Sequence, residues 1–354
     1  MPAAWLQSAL MKALRREPVA QTPVWLMRQA GRFLPEYRKL RQSTPFLDLC
    51  KTPDLAAEIM VATVRRLGVD AAILFSDLLL ILEPMGMQLE FSAGEGPVLH
   101  NPLRTATDVD RLAELESVEP LEFVMETVRK TREGLPETIP LIGFAGAPFT
   151  LAAYAIEGGA SRDYRLTKAM MYTDTGAWDS LMARLARAVT LCLNAQIDAG
   201  AQLVQLFDSW AGCLGVEDYR RYVLPHTRSV LEAIRPDVPV IHFATGNPSL
   251  LPSLSEAFGK KRRDAAVGVD WRIPLDDAWR AVGYDKAIQG NLDPAVLLAE
   301  PSEIRRRVRE VLHRAGGRPG HIFSLGHGVL PQTPVENVLT FVQAVHEFSQ
   351  AGGR

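Results

Sequence analysis

Two arginines four residues apart, Arg28 and Arg32, sit in the segment PVWLMRQAGRFLPEYR (23–38), which is otherwise largely apolar and broken by Gly31. No acidic neighbour follows them until Glu36. Arginine is seldom buried without a partner, and its planar fork suits two-pronged binding of carboxylates or phosphates. A lone arginine often lays its stem along apolar surface with its head in water. A pair flanked by Trp25, Leu26, Met27, Phe33 and Leu34 reads better as an anion clamp.

Other polar residues stand out against apolar surroundings. Asp77 is a single carboxylate in LFSDLLLILEPMG. It either caps the helix that follows or accepts N–H groups of a bound heterocycle, which would satisfy an otherwise costly buried charge. His327 lies between Gly326 and Gly328 in LGHGVLPQTP. A ring exposed there can donate to a carboxylate or relay a proton, and Ser209 and Tyr154 can supply neutral hydrogen bonds beside it.

Cofactor and metal signatures do not accompany these residues. GFAGAPFT (143–150) leads into a helix expected to begin at Pro148, but no Lys-Ser or Lys-Thr pair makes it a phosphate loop, and no GxGxxG follows the first strand. His226, His242, His313 and His321 are isolated, and Cys50, Cys192 and Cys213 form no CxxC. No cofactor, metal site or disulfide framework is expected, and a reducing cytoplasm fits the cysteine usage.

The elements that must position these groups are legible as short apolar runs alternating with helical periods, the pattern of βα units around a parallel sheet. Candidate strands are Asp70–Phe75, Pro140–Phe144, Gln202–Phe207, Val238–Phe243, Ala266–Val269, Ala287–Gly290 and His321–Ser324. An eighth is sought in the glycine-rich stretch 88–101, which has room for a hairpin and one barrel strand. Helices are expected over Pro53–Leu67, Leu121–Arg132, Trp178–Ala199, Val216–Ile234, Pro248–Phe258 and Pro301–Arg314. The reading is an α/β fold, a single-domain (β/α)8 TIM barrel over residues 1–354, preceded by a short N-terminal helical extension. Asp77, Ser209, Thr245, Asp270, Asn291 and His327 each follow a strand, where barrels of this kind place their active sites.

The chain has 354 residues, a net charge of −2 and a pI near 6.4, which excludes a strongly basic nucleic-acid binder. Positive charge gathers instead in the first fifty residues, at a net +5. The start MPAAWLQSALMKALRREPV lacks the order of a signal peptide, and no apolar run is long enough to span a bilayer. Neither nucleic acid nor membrane is expected as a partner, and the cytoplasm is the expected location.

Taken together, PVWLMRQAGRFLPEYR, LFSDLLLILEPMG, GFAGAPFTLAAYAIEGG, QLFDSWAG, QGNLDPAVL and GHGVLPQTP closely resemble the uroporphyrinogen decarboxylases, in order and spacing, across almost the whole chain. The resemblance implies a cytoplasmic homodimeric barrel in porphyrin and haem biosynthesis. Such an enzyme takes carbon dioxide from the four acetate side chains of uroporphyrinogen III and yields coproporphyrinogen III without cofactor or metal. Arg28 and Asp77 are implied as catalytic residues, and Arg28, Gln29, Arg32, Asp77, Tyr154, Ser209 and His327 as substrate-binding. The stretch HFATGNPSL (242–250) departs from the usual glycine and alanine pattern of that family. Methyltransferases of the same barrel superfamily are similar but hold zinc through a His-x-Cys pair, for which this chain has His242-Phe243-Ala244.

Overall fold

Runs rich in β-branched and aliphatic residues favour extended backbone, and seven of them form one parallel sheet in the computed structural model, which describes residues 3–92, 96–260 and 262–351. The strands are β1 (Ala72–Ile73), β4 (Leu141–Gly146), β5 (Leu203–Asp208), β6 (Val240–Ala244), β7 (Ala265–Gly268), β8 (Ala287–Leu292) and β9 (His321–Leu325). They lie side by side in chain order, all pairs parallel, with registers such as Asp208 on Ala244 and Asn291 on Ser324. Each expected strand is present within two residues of its sequence bounds, β1 being trimmed by two at both ends.

The eighth stave is not where the sequence pattern placed it. Residues of β2 (Leu89–Ser92) and β3 (Gly96–Leu99) pair only with each other, as an antiparallel hairpin outside the main sheet. The intervening residues 93–95 fall outside the described residues. The gap between β1 and β9 is filled by residues 23–25, the start of the arginine segment. Val24 bridges Phe323 in parallel. Phe323 N–H donates to the Pro23 carbonyl at 2.8 Å, Trp25 N–H to Phe323 at 3.3 Å, and Asp70 N–H to Val24 at 2.8 Å. Three residues led by a proline carry too little alternation to read as a strand.

A carboxylate completes this closure. Asp70 Oδ2 accepts the Val24 N–H at 2.7 Å and lies 2.8 Å from His346 Nε2 on the last helix, Val335–Ala351. One side chain thereby ties the first stave, the second stave and the C-terminal helix together.

Side chains alternate across each strand, so the sheet separates two cores. The larger lies between sheet and helices. The smaller fills the barrel with Trp25, Ile73, Ile142, Leu203, Ile241 and Ile322, and it includes Leu10, Met11, Ala13 and Leu14 from the helix Ala9–Leu14. This N-terminal helix, expected as an extension, is a plug in the barrel interior: Leu10 and Leu14 have no exposed surface. Within the interior, Trp25 Nε1 donates to Gln289 Oε1 at 3.0 Å and Gln289 Nε2 to Gln205 Oε1 at 3.1 Å, joining three staves.

Helix Pro53–Leu67 matches its expected bounds and ends on Gly68. The single helix expected over Val216–Ile234 is two, Val216–Tyr222 and Leu224–Ala233. Pro225 has no N–H for the preceding turn and its ring clashes with the carbonyl four residues back, so the second helix starts afresh around it.

Candidate active site

Because residues 23–25 form a stave, the arginines emerge at its C-terminal end, above the barrel. The chain turns there: Gln29 N–H donates to the Leu26 carbonyl at 3.2 Å. The Gln29 side chain, 2 % exposed, locks that turn by accepting from Leu26 N–H at 3.1 Å and donating to the Ala71 carbonyl at 3.0 Å. Both ends of its amide are thus spent on backbone beneath the cleft.

Arg28 has a left-handed backbone, φ 62°, a conformation that costs a non-glycine residue free energy and collects at functional sites. Two glycines make room for it. A β-carbon on Gly31 would come within 2.5 Å of the Arg28 carbonyl oxygen, and one on Gly328 within 2.5 Å of Arg28 Cδ. Among the described residues, neither the Arg28 nor the Arg32 guanidinium has a hydrogen bond or ion pair. Arg32 is exposed at the mouth, on a loop braced by Arg38, whose guanidinium donates to the carbonyls of Arg32 at 3.1 Å and Phe33 at 2.9 Å.

Asp77 leaves the end of β1 half-buried. Its Oδ1 accepts the Leu79 N–H at 2.9 Å in a local turn, while the short helix Leu80–Leu82 has Leu79 at its N-cap and no side-chain cap, so Asp77 is not the helix cap that the sequence also allowed. Burial pushes the carboxyl up to about 6, against the pull of the Leu79 N–H and the Arg28 charge. Tyr154, on helix Pro148–Glu157, feels the same pair: burial and the Asp77 charge push its phenol up to about 12, and Arg28 opposes them. It therefore remains a neutral donor.

His327 follows β9. Its Nδ1 accepts the Gly328 N–H at 2.7 Å, which leaves the proton of a neutral ring on Nε2. Burial first, then the charges of Arg28 and Arg272, push it down to about 4. Near pH 7 the ring is a neutral N–H donor, which suits contact with a carboxylate and not the delivery of a proton from an imidazolium.

Arg28, Asp77, Tyr154 and His327 thus lie within electrostatic reach of one another. Ser209 follows the end of β5, with its carbonyl accepting the Thr245 hydroxyl at 3.1 Å. Next to it, Trp210 has the rings of Tyr154 and Tyr164 each 5.6 Å away, and its N–H donates to Thr150 Oγ1 at 3.3 Å. Trp210 and Arg272 were not singled out from sequence. The signal for Trp210 was its place in QLFDSWAG, and for Arg272 its place in the turn just past the apolar run 265–269.

The alternation of side chains along β6 bears on zinc chemistry. Ile241 and Phe243 belong to the barrel interior, whereas Val240 and Ala244 belong to the outer core. His242 has the outward parity and sits 6.1 Å from the Phe258 ring. The pair His242 and Ala244 therefore faces the helices, and the cleft-side positions of this strand end are Phe243 and Thr245. No group of three or more His, Cys, Asp or Glu is gathered to hold a metal ion among the described residues.

Comparison with known proteins gives this cleft its context. The family model described as uroporphyrinogen decarboxylase (URO-D) matches residues 6–348. The chain belongs to the uroporphyrinogen decarboxylase family. Curated uroporphyrinogen decarboxylases of Sorangium cellulosum and Roseiflexus sp. are each 51 % identical to it, the first over 98 % of both chains and the second over 97 % of this chain and 99 % of its own. Among solved structures, a methyltransferase from Methanosarcina mazei superposes with a TM-score of 0.77 over 97 % of this chain and 98 % of its own, at 19 % identity. That likeness is one of fold. Uroporphyrinogen decarboxylases are carboxy-lyases.

Proposed function

We propose that this cleft carries out the reaction of its family, removal of the four acetate carboxyls of uroporphyrinogen, with Arg28 and Asp77 as the catalytic pair. The observation that carries the reading is the contrast between two guanidiniums without partners and a half-buried carboxylate in reach of one of them. Uroporphyrinogen presents eight carboxylates around four pyrrole N–H groups. Arg28 and Arg32 fit the first, and the second oxygen of Asp77 fits the latter.

Loss of carbon dioxide directly from an acetate would leave an unstabilised carbanion. Protonation of the pyrrole α-carbon next to the carbon that bears the acetate turns the ring into a cationic electron sink. The carbon–carboxylate bond then breaks, its electrons neutralise the ring, and carbon dioxide leaves. The exocyclic methylene takes up a proton to become the methyl while the ring carbon gives one back, so each turn consumes one proton overall. The substrate does the work that a cofactor does elsewhere. Ionised Asp77, facing the pyrrole N–H groups, stabilises positive charge where it develops. Arg28 holds the departing acetate, the neutral His327 Nε2–H and the Tyr154 and Ser209 hydroxyls take further polar groups, and Gln29 keeps the Arg28 turn in place.

Anaerobic incubation with uroporphyrinogen, followed by chromatography of the products, tests the reading. Sequential loss of four carboxyls is expected. Tight binding with no loss would instead make the chain a porphyrinogen carrier. We further propose that the whole chain is one catalytic domain acting as a cytoplasmic homodimer with no added cofactor. The match of the family model over residues 6–348 supports this, and among the described residues no helix is long and apolar enough to cross a membrane. Sedimentation velocity and metal analysis of active protein check it.

A further inference from the structure

The loop after β7 places one more guanidinium at the cleft. Ala266 faces the barrel interior, Gly268 shares that face at the end of the strand, and the chain then turns through Asp270 and Arg272. Asp270 is 5 % exposed and is satisfied from several directions. Its Oδ2 accepts the Gly246 N–H at 2.7 Å and the Arg272 guanidinium, and its Oδ1 accepts the Arg272 N–H at 3.0 Å. Asn291 Nδ2 fastens the loop by donating to the carbonyls of Asp270 at 2.9 Å and Ile273 at 2.7 Å.

Arg272 is held but not consumed by these contacts. Its guanidinium stacks on the Trp271 ring at 4.3 Å, and the side chain stays 45 % exposed. Only one of its nitrogens donates to Asp270 among the described hydrogen bonds, which leaves most of the five-donor fork open. The loop is also pressed against the His327 turn: a β-carbon on Gly326 would lie 2.6 Å from Trp271 N. In sheet order, β9 and its His327 turn lie between the Arg28 stave on one side and β8 and β7 on the other.

We infer that Arg272 is a substrate-binding and specificity residue, a cation that grips a peripheral carboxylate of the tetrapyrrole across His327 from Arg28. The inference rests on the reading of the cleft given above. Arg28 and Arg32 come from a single segment and serve one flank of a molecule that carries carboxylates all round. Arg272 serves the flank bounded by β7 and β8. Stacking on Trp271 orients its fork and lowers the entropy lost on binding, as a planar guanidinium bound to carboxylate requires.

Steady-state kinetics on uroporphyrinogen with wild type, Arg272→Ala and Arg272→Lys test this. Losing a hydrogen bond to a charged group predicts a KM raised about tenfold or more in Arg272→Ala. The first-turnover rate at saturation should change less than about twofold, and the salt dependence of KM should flatten. Arg272→Lys should recover only part of the KM, because a point charge lacks the fork. An unchanged KM in Arg272→Ala with wild-type turnover overturns the assignment, and so does a rate loss that tracks a loss of thermal stability in both variants. If wild type itself does not turn over uroporphyrinogen, the reading of the cleft fails instead.

Discussion

Gly328 lies flat against the Arg28 side chain, so closely that a β-carbon there would sit 2.5 Å from Arg28 Cδ and 2.8 Å from Cγ. The contact links the first stave to the turn after the last one, next to the point where Val329 N–H donates to the Met27 carbonyl at 3.0 Å. Barrel closure and the aim of the guanidinium are therefore one structural event. Flanking His327 with glycines does more than expose the imidazole: it leaves space for an arginine stem.

Gly328→Ala should accordingly damage the site and spare the fold. The added methyl must displace Cγ and Cδ of Arg28, an exposed residue whose side chain can move. We expect kcat/KM for uroporphyrinogen to fall by at least about tenfold, equivalent to about 1.4 kcal/mol of transition-state stabilisation. The urea midpoint should stay near that of wild type. An alanine variant with full activity would show that the aim of Arg28 does not depend on this contact.

The backbone of Arg28 yields a separate expectation. A non-glycine residue at φ 62° carries strain that glycine does not. Arg28→Gly should be more stable than Arg28→Ala by about 1 kcal/mol in urea titrations, while both lose most of their turnover. If the alanine variant proves as stable as the glycine one, the turn is unstrained. If only KM rises with kcat intact, Arg28 is confined to uniform binding of the substrate.

Asp77 sets an acid limb on the rate. Its carboxyl is raised to about 6, chiefly by burial, and the charge-stabilising role needs the ionised form. We expect kcat/KM to be flat near neutrality and to fall tenfold per pH unit well below 6. Asp77→Asn should keep the fold and lose most of the rate, because an amide cannot offset positive charge on a pyrrole. Its residual activity should lack the limb. A limb that persists in Asp77→Asn belongs to another group.

How far the sequence foretold all this depended on which signal each residue leaves. Strands such as Val240–Ala244 are dense in β-branched and apolar side chains and declare themselves. Residues 23–25 do not, since a three-residue stave is defined by its neighbours Phe323 and Asp70 and has no period of its own. The helix Ala9–Leu14 was legible as amphipathic, but its burial inside the barrel is set by the hollow left by small residues such as Ala71, Ala266 and Ala287. Arg28 and Asp77 stood out because charge in an apolar run is informative by itself. Gln29 looked like a ligand contact, and only the Leu26 and Ala71 backbone positions show how its amide is spent. Arg272 leaves no signal in the sequence beyond its place after an apolar run, because its position comes from a turn held by Asp270 and packed against Gly326.

Three buried or half-buried groups predict how stability changes with acid. His327 and His321 are both held down near 4, from an ordinary 6.5, by burial. Between about 4 and 6.5 the unfolded chain binds more protons at these sites, so their contribution to stability is present above 6.5 and is lost as pH falls. Asp77 acts in the opposite sense. Raised from 3.8 to about 6, it binds more protons when folded, and stability from this group falls as pH rises through that window. Acidifying from pH 7 to 5 should destabilise Asp77→Asn more than wild type, and His327→Gln less. Urea unfolding free energies of the three proteins at pH 5, 6 and 7 check the order, and equal slopes would show that these groups are not perturbed as described.

The N-terminal plug makes the last case. Leu10 is fully buried among interior residues contributed by several staves, whereas Gln7, one turn earlier in Ala4–Gln7, is exposed. Truncating a buried leucine costs the lost transfer free energy plus that of the cavity left behind, about 2–5 kcal/mol. Leu10→Ala should therefore lower the unfolding free energy by an amount in that range, and Gln7→Ala by less than about 0.5 kcal/mol. The plug fills the end of the barrel opposite the cleft, with the Trp25, Gln289 and Gln205 hydrogen bonds lying between. Leu10→Ala should for that reason retain kcat and KM under conditions where it is folded. A neutral Leu10→Ala would mean that the helix merely rests on the barrel, and a selective loss of kcat would mean that the interior transmits strain from the plug to Arg28.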